Sequence, residues 1–199
     1  MTYEPTKDAR FYPGAHMSEA RQQQVLNFEI PLDETTFEDI LFNTARAFTG
    51  TFYGLLAIIE ERYGKEAAQE IATEMGYRGG RRNVAAWLAA NGVDRGSAEL
   101  MSKYQDFAHA MRGPDHANAI ATYDEHVCEV TRRRCGWHTG RPDGMNSYCI
   151  YISRGFIDGY KESDPGVAHA EIRKCMSLGD DFCRHVFTYE SDASEAGGV

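Results

Sequence analysis

The sequence predicts an α+β fold: an N-terminal helical layer packed on a mostly antiparallel C-terminal sheet, with one helix inserted among the strands. Three observations predict it. Apolar residues recur at helical spacing from Phe37 to Met111. After Gly113-Pro114 the period shortens to the alternation of strands. The last apolar block, Cys175 to His185, has two alternating runs around a Gly- and Asp-rich turn, the pattern of a β-hairpin.

Residues 1–34 are mixed and polar, and Pro5, Pro13 and Pro31 interrupt any regular element, so they are expected to form an arm. A single domain is expected over 35–190, with a helical part over 35–112 and a strand-rich part over 119–190. Residues 191–199 read as a polar, disordered tail. Within the domain, Phe37, Ile40, Leu41, Phe48, Phe52, Leu55, Leu56, Ile59 and Tyr63 mark one long helix. Thr35 and Glu38 have capping-box spacing at its start, and Gly64 offers a left-handed stop. A second helix runs from Lys65 to about Met75. The glycines from Gly76 to Gly80 follow a helix and not a strand, which argues for a hinge and against a phosphate loop. A third helix carries Val84, Trp87 and Leu88 and stops at Asn91-Gly92. A fourth, opened by Asp94 or Ser97, carries Leu100, Met101, Tyr104, Phe107 and Met111. Ala119 to Arg134 reads as one strand, or two with a bend, followed by a loop from Cys135 to Gly144. Tyr148, Cys149, Ile152, Phe156 and Tyr160 mark the inserted helix, ended by Ser163-Asp164-Pro165-Gly166.

The chain has 199 residues, enough to bury a full core, and 21 Lys and Arg against 30 Asp and Glu give a formal charge of -9. That balance argues against nucleic acid as a partner, because phosphate binding wants a basic face. The run Arg132-Arg133-Arg134 is the local exception. On an alternating strand its members split between two faces, leaving solvated charges and one candidate for a carboxylate. The N-terminus lacks the apolar core of a signal peptide and no run has the length of a membrane span, so a cytoplasmic protein with no membrane partner is expected. There the five cysteines should be thiols.

Those thiols gather near the C-terminus. With the hairpin centred on Gly179, Cys175 faces Cys183, their Cβ atoms within about 5.5 Å. Strand alternation puts His185 on the side of Cys183, and Arg173, Glu171 and His169 on the side of Cys175. Two chemistries suit this set. Cys135 and His138, two residues apart between them, could join Cys175 and Cys183 around a zinc ion. A thiolate at Cys175 or Cys183, stabilised by His185, could instead act as a nucleophile. Asp180 and Asp181 are turn formers in the commoner reading, or a general base. Cysteines that only fill space are the third reading.

The segment from Cys135-Gly136-Trp137 through Tyr148-Cys149 to Lys174-Cys175-Met176-Ser177-Leu178-Gly179-Asp180-Asp181-Phe182-Cys183-Arg184-His185-Val186-Phe187 resembles the L-2-amino-thiazoline-4-carboxylic acid hydrolase family. Tyr63-Gly64-Lys65-Glu66-Ala67-Ala68 is similar to a helix boundary in the same group. The Gly179-Asp180-Asp181-Phe182-Cys183 ending is also similar to 4-vinyl reductase type domains, a ligand-binding fold related to vesicle-tethering subunits. The first resemblance implies a hydrolase that opens a cyclic amidine such as 2-amino-thiazoline-4-carboxylate by cleaving a C–N bond. Its catalytic set would be Cys175, Cys183, His185 and Asp180. Arg173, as carboxylate anchor, would bind the substrate with Cys149 and Tyr148. The second implies a non-catalytic domain for a small ligand or zinc, with the helix from Phe37 to Tyr63 as pocket wall. The long apolar helix and the polar arm agree with a homodimer.

Overall fold

The computed structural model describes residues 17–110, 119–133, 138 and 147–190, and they form the expected α+β architecture. Helices α1 (Glu19–Leu26), α2 (Phe37–Tyr63), α3 (Lys65–Ala90) and α4 (Ala98–Ala110) precede strands β1 (Ala119–Tyr123) and β2 (Val127–Arg132). Helix α5 (Cys149–Ser163) then separates this hairpin from β3 (Val167–Lys174) and β4 (Cys183–Tyr189). The strands form one antiparallel sheet in the order β1-β2-β4-β3.

Helix α1 corrects the reading of residues 1–34 as free of regular elements. It fits between Pro13 and Pro31, opens on Ser18, whose side chain accepts from Arg21 N, and is fixed by Arg21. The Arg21 guanidinium donates to both oxygens of the buried Asp39 at 2.7 and 3.1 Å. Asp39 also completes the capping box of α2 with Thr36, one residue later than the Thr35–Glu38 spacing suggests. The Arg21 bonds hold the Asp39 carboxyl well below the usual carboxylate range, against the burial that would raise it. A depressed carboxyl contributes stability above its unfolded pKa, about 4, and loses it as the pH falls through the folded value. The docking of α1 on α2 is therefore expected to weaken below about pH 4. Thermal melts of the wild type should show that acid-side loss, and Arg21→Met should flatten it.

Helix α2 stops at Gly64, which has φ +91°, and α3 starts at the next residue. Helix α3 then continues unbroken to Ala90, through the glycines expected to form a hinge. They are used for packing. Gly76 and Gly80 lie against the backbone of α5 at Ile152 and Phe156, while Gly155 and Gly159 of α5 lie against the backbone of α3 at Thr73 and Tyr77. Two small-residue faces spaced by four thus let two helices meet backbone to backbone. Helix α4 opens on Ser97, whose hydroxyl accepts from Leu100 N.

The main core lies between this helical layer and the inner face of the sheet, where Tyr160 packs on Tyr104 and Phe187 with ring centroids 5.4 and 5.5 Å away. One buried carboxylate ties the layers together. Asp164 Oδ1 accepts from Gly96 N (2.7 Å) and Gly166 N (2.9 Å), and Oδ2 accepts from the Tyr189 hydroxyl (3.3 Å). Asp164→Ala strands those donors and is expected to cost about 2–4 kcal/mol by denaturant unfolding.

The second hairpin departs from regular alternation. Ile172 pairs with His185 but Lys174 pairs with Arg184, a one-residue bulge at Arg173. Beyond it, Cys175 leads into a 3-10 turn over Met176–Leu178 and Gly179 at φ +100°. Continuing the register sets Cys175 opposite Cys183, as expected. The bulge reverses the phase upstream of it, so His169 and Glu171 share the outer side with Arg173, where Arg173 Nε donates to Glu171 at 2.6 Å. The placing of all three on the cysteine side is thereby corrected.

Candidate functional site

Register decides which side chains of the sheet look inward. Arg132 pairs with Cys183, Val130 with His185 and Cys128 with Phe187, and all six are buried. Alternation along β2 therefore carries Arg132 into the interior with Val130 and Cys128, while Arg133 is exposed. Arg132 is only 5 % exposed and His185 6 %. Arg132 Nη2 lies 2.6 Å from His185 Nδ1; a guanidinium can only donate, so the imidazole nitrogen accepts. Among the described residues Arg132 Nε is buried with no hydrogen-bond partner and no carboxylate pairs with this guanidinium. An unpaired cation at such depth is costly, because burial strips its hydration without returning a counter-charge.

Arg132 and His185 stand in the wall of a cavity of about 720 Å³. Helices α2, α3 and α5 supply Phe48, Phe52, Met75, Ile152, Phe156 and Ile157, and β4 adds Phe187. Gly76 and Gly79 of α3 also line it. Gln105 adds a polar group, held by its bonds to the Tyr160 hydroxyl (3.1 Å) and Met101 Sδ (3.4 Å). The more exposed Arg78 and Arg82 add positive charge, and no Asp or Glu is among the described lining residues. The cavity is thus apolar along its length and cationic at one buried point, a shape and charge suited to an amphipathic anion.

The cysteines form a separate nest. Cys149, Cys175 and Cys183 are buried together with Ile150, against Tyr151, Ile172 and Met176. Cys149 Sγ and Cys175 Sγ are 3.8 Å apart, Ser177 Oγ is 3.0 Å from Cys175 Sγ, and Met176 N donates to Cys183 Sγ at 3.3 Å. Bonds from Cys149 and Cys183 draw the Cys175 thiol below its ordinary pKa, against burial, with Ser177 assisting. Cys128 goes the other way, raised by burial and then by the charges of Asp106 and Glu129.

No family model matches this chain, and no curated protein matches it. Among solved structures it is similar to a trafficking protein particle complex subunit 3 from Naegleria fowleri, covalently bound to palmitic acid. The two are 19% identical with a TM-score of 0.44, over 74% of this chain and 96% of that one. A likeness of that size bears on no residue role.

Of the side chains singled out from sequence, the fold brings Cys149, Cys175 and Cys183 together and sets His185 on the same inner face. The three thiols are not among the cavity's lining residues, whereas His185 is. Asp180 accepts from Cys175 N at 2.7 Å, the work of a turn former. Tyr148 is buried between α2 and α3 and its hydroxyl donates to Glu60. Arg173 lies on the outer side, bonded to Glu171, and is not among the cavity's lining residues. Cys135 lies outside the described residues, and His138 is half-buried. Among the described residues no group of three His, Cys, Asp or Glu side chains is arranged to hold a metal ion. Gln105 was not among the expected site residues, whereas the helix from Phe37 to Tyr63, which supplies Phe48 and Phe52, was expected as a pocket wall, and strand alternation made one arginine of the run at 132–134 a carboxylate candidate.

Proposed function

We propose that this protein binds a small amphipathic organic anion, a carboxylate on an aromatic or aliphatic body, in the cavity between α2, α3, α5 and the sheet. The buried Arg132 guanidinium, with no carboxylate partner among the described residues, is the observation that carries this reading. A carboxylate seated there accepts from Arg132 in a site with little competing water, where charge-assisted bonds are strongest. The phenylalanines hold the apolar body, and His185, bonded to Arg132, keeps the guanidinium oriented. Arg78 and Arg82 favour approach of an anion from outside.

Hydrolysis of a cyclic amidine is a second reading, favoured by the same cation. L-2-amino-thiazoline-4-carboxylate is itself a small carboxylate, and Arg132 with His185 offers it an anchor and an imidazole in one cavity. A water held near His185 would then supply the attacking oxygen, since the thiols stand apart from the cavity.

Displacement of anilinonaphthalenesulfonate fluorescence from the purified chain tests the first reading. Dodecanoate and naphthoate are expected to compete saturably, and dodecanol and naphthalene far less. Absence of saturable competition by either acid contradicts it. Mass-spectrometric turnover of L-2-amino-thiazoline-4-carboxylate, run on the same preparation, decides between binding and ring opening.

A further inference from the structure

The cavity runs against the charge of the chain. The whole sequence carries a formal charge of -9, yet the described lining has three arginines and neither Asp nor Glu. Arg132 is the deep one. The other two, Arg78 and Arg82, stand one turn apart on α3 and are exposed, and like charges four residues apart weaken a helix. The arginines of this turn are not equally answered. Arg78 Nε reaches Glu74 at 2.6 Å, and Arg81, which is not a lining residue, pairs with Glu162 of α5 at 3.2 Å. Among the described residues Arg82 pairs with no carboxylate, and its Nε donates to the neutral amide oxygen of Asn83 at 3.3 Å. Arg82 and Arg132 thus share one cavity, one guanidinium in solvent and the other buried, with Phe48, Phe156 and Ile152 in the same wall.

We propose that the ligand carries a second carboxylate at the far end of its apolar body, and that Arg82 reads it where the cavity meets solvent. The ligand class is then an α,ω-dicarboxylate. This rests on the reading of Arg132 as the anchor of the first carboxylate. A carboxylate on Arg132 lies below the surface, whereas Arg82 stands in solvent, so engaging both takes two anionic groups joined by an apolar spacer. The two ends do different work. The buried pair at Arg132 carries most of the affinity, because little water competes there. The pair at Arg82 is hydrated and screened, worth about fivefold, and it selects ligands by length and by charge at the second end. Arg78, already paired with Glu74, adds positive field beside this seat.

Calorimetric titration of the full chain at low salt, with diacids from octanedioate to tetradecanedioate and each beside its monomethyl ester, tests this. The ester keeps one carboxylate on the same body, and two equivalent ends alone give a diacid a twofold advantage. At the length that spans the two arginines, the diacid is expected to gain about fivefold beyond that statistical factor. Raising the salt to about 0.5 M should remove the excess, since an exposed pair is screened. Arg82→Gln should bring the diacid back to the twofold level. Arg81→Gln, one residue away and outside the cavity wall, should keep the excess. Esters that bind while no diacid exceeds twofold overturn this inference and leave the Arg132 reading standing. An excess that survives in Arg82→Gln overturns it as well. Failure of esters and diacids alike to bind removes the reading on which it rests.

Discussion

Arg132→Met is expected to weaken naphthoate binding by about 30-fold or more, because losing one partner of a buried charged hydrogen bond costs 2–5 kcal/mol. The same substitution is expected to leave the ligand-free protein as stable as the wild type or more so. Among the described residues the buried guanidinium has one nitrogen unpartnered and no carboxylate beside it, so an apolar side chain of similar length removes a desolvation cost. Binding and stability should therefore move in opposite directions. A residue present for packing would lose both together. Chemical denaturation with and without naphthoate reads the two effects on one protein, since a ligand that binds only the folded state adds stability in proportion to its affinity. Arg132→Lys should recover only part of the binding, because a single ammonium lacks the planar pair of donors.

Gly155→Ala is expected to destabilise the fold by about 4 kcal/mol or more, at the extreme end of single substitutions. A Cβ at this position would overlap the carbonyl oxygen of Thr73, a backbone atom fixed by the α3 helix, so no rotamer change can relieve the clash. Gly76, Gly80 and Gly159 face the same constraint, and alanine at any of them should push α3 and α5 apart. Separation of these helices would also open the cavity, whose wall includes Gly76, Ile152 and Phe156. Gly50→Ala in the solvent-facing part of α2 is the internal control, expected to stabilise the monomer by about 0.5–1 kcal/mol. Equal effects at Gly155 and Gly50 would mean that the α3–α5 crossing is not the close contact described.

Much of the architecture was legible because it follows from local period. The long helix over Phe37–Tyr63, the inserted helix over Cys149–Ser163 and the closing hairpin each announce themselves by spacing and by a glycine or aspartate at the end. What local reasoning missed had a non-local cause. Gly76 and Gly80 look like a hinge until α5 is known to lie against them, and then they explain why α3 runs straight through. The bulge at Arg173 has no signature in its residues, yet it reverses the phase of everything upstream on β3. That one insertion moved the expected carboxylate anchor to the outer side. Arg132 was within reach: with Cys128 and Val130 in phase on β2, alternation sends it inward. Its neighbours Arg133 and Arg134 make the run look like a solvated surface. Of the expected cysteine set, Cys175 and Cys183 are buried with Cys149 at the start of α5 and are not among the cavity's lining residues.

Calorimetric titration of the purified chain with naphthoate and with its neutral counterpart naphthamide tests the central claim, in the wild type and in Arg132→Met. The buried cation should give the acid an advantage of about 30-fold or more over the amide in the wild type, and most of that advantage should vanish in the variant. Equal affinity for acid and amide in the wild type, or a preference for the acid that survives intact in Arg132→Met, would contradict the assignment of Arg132 as the anion anchor.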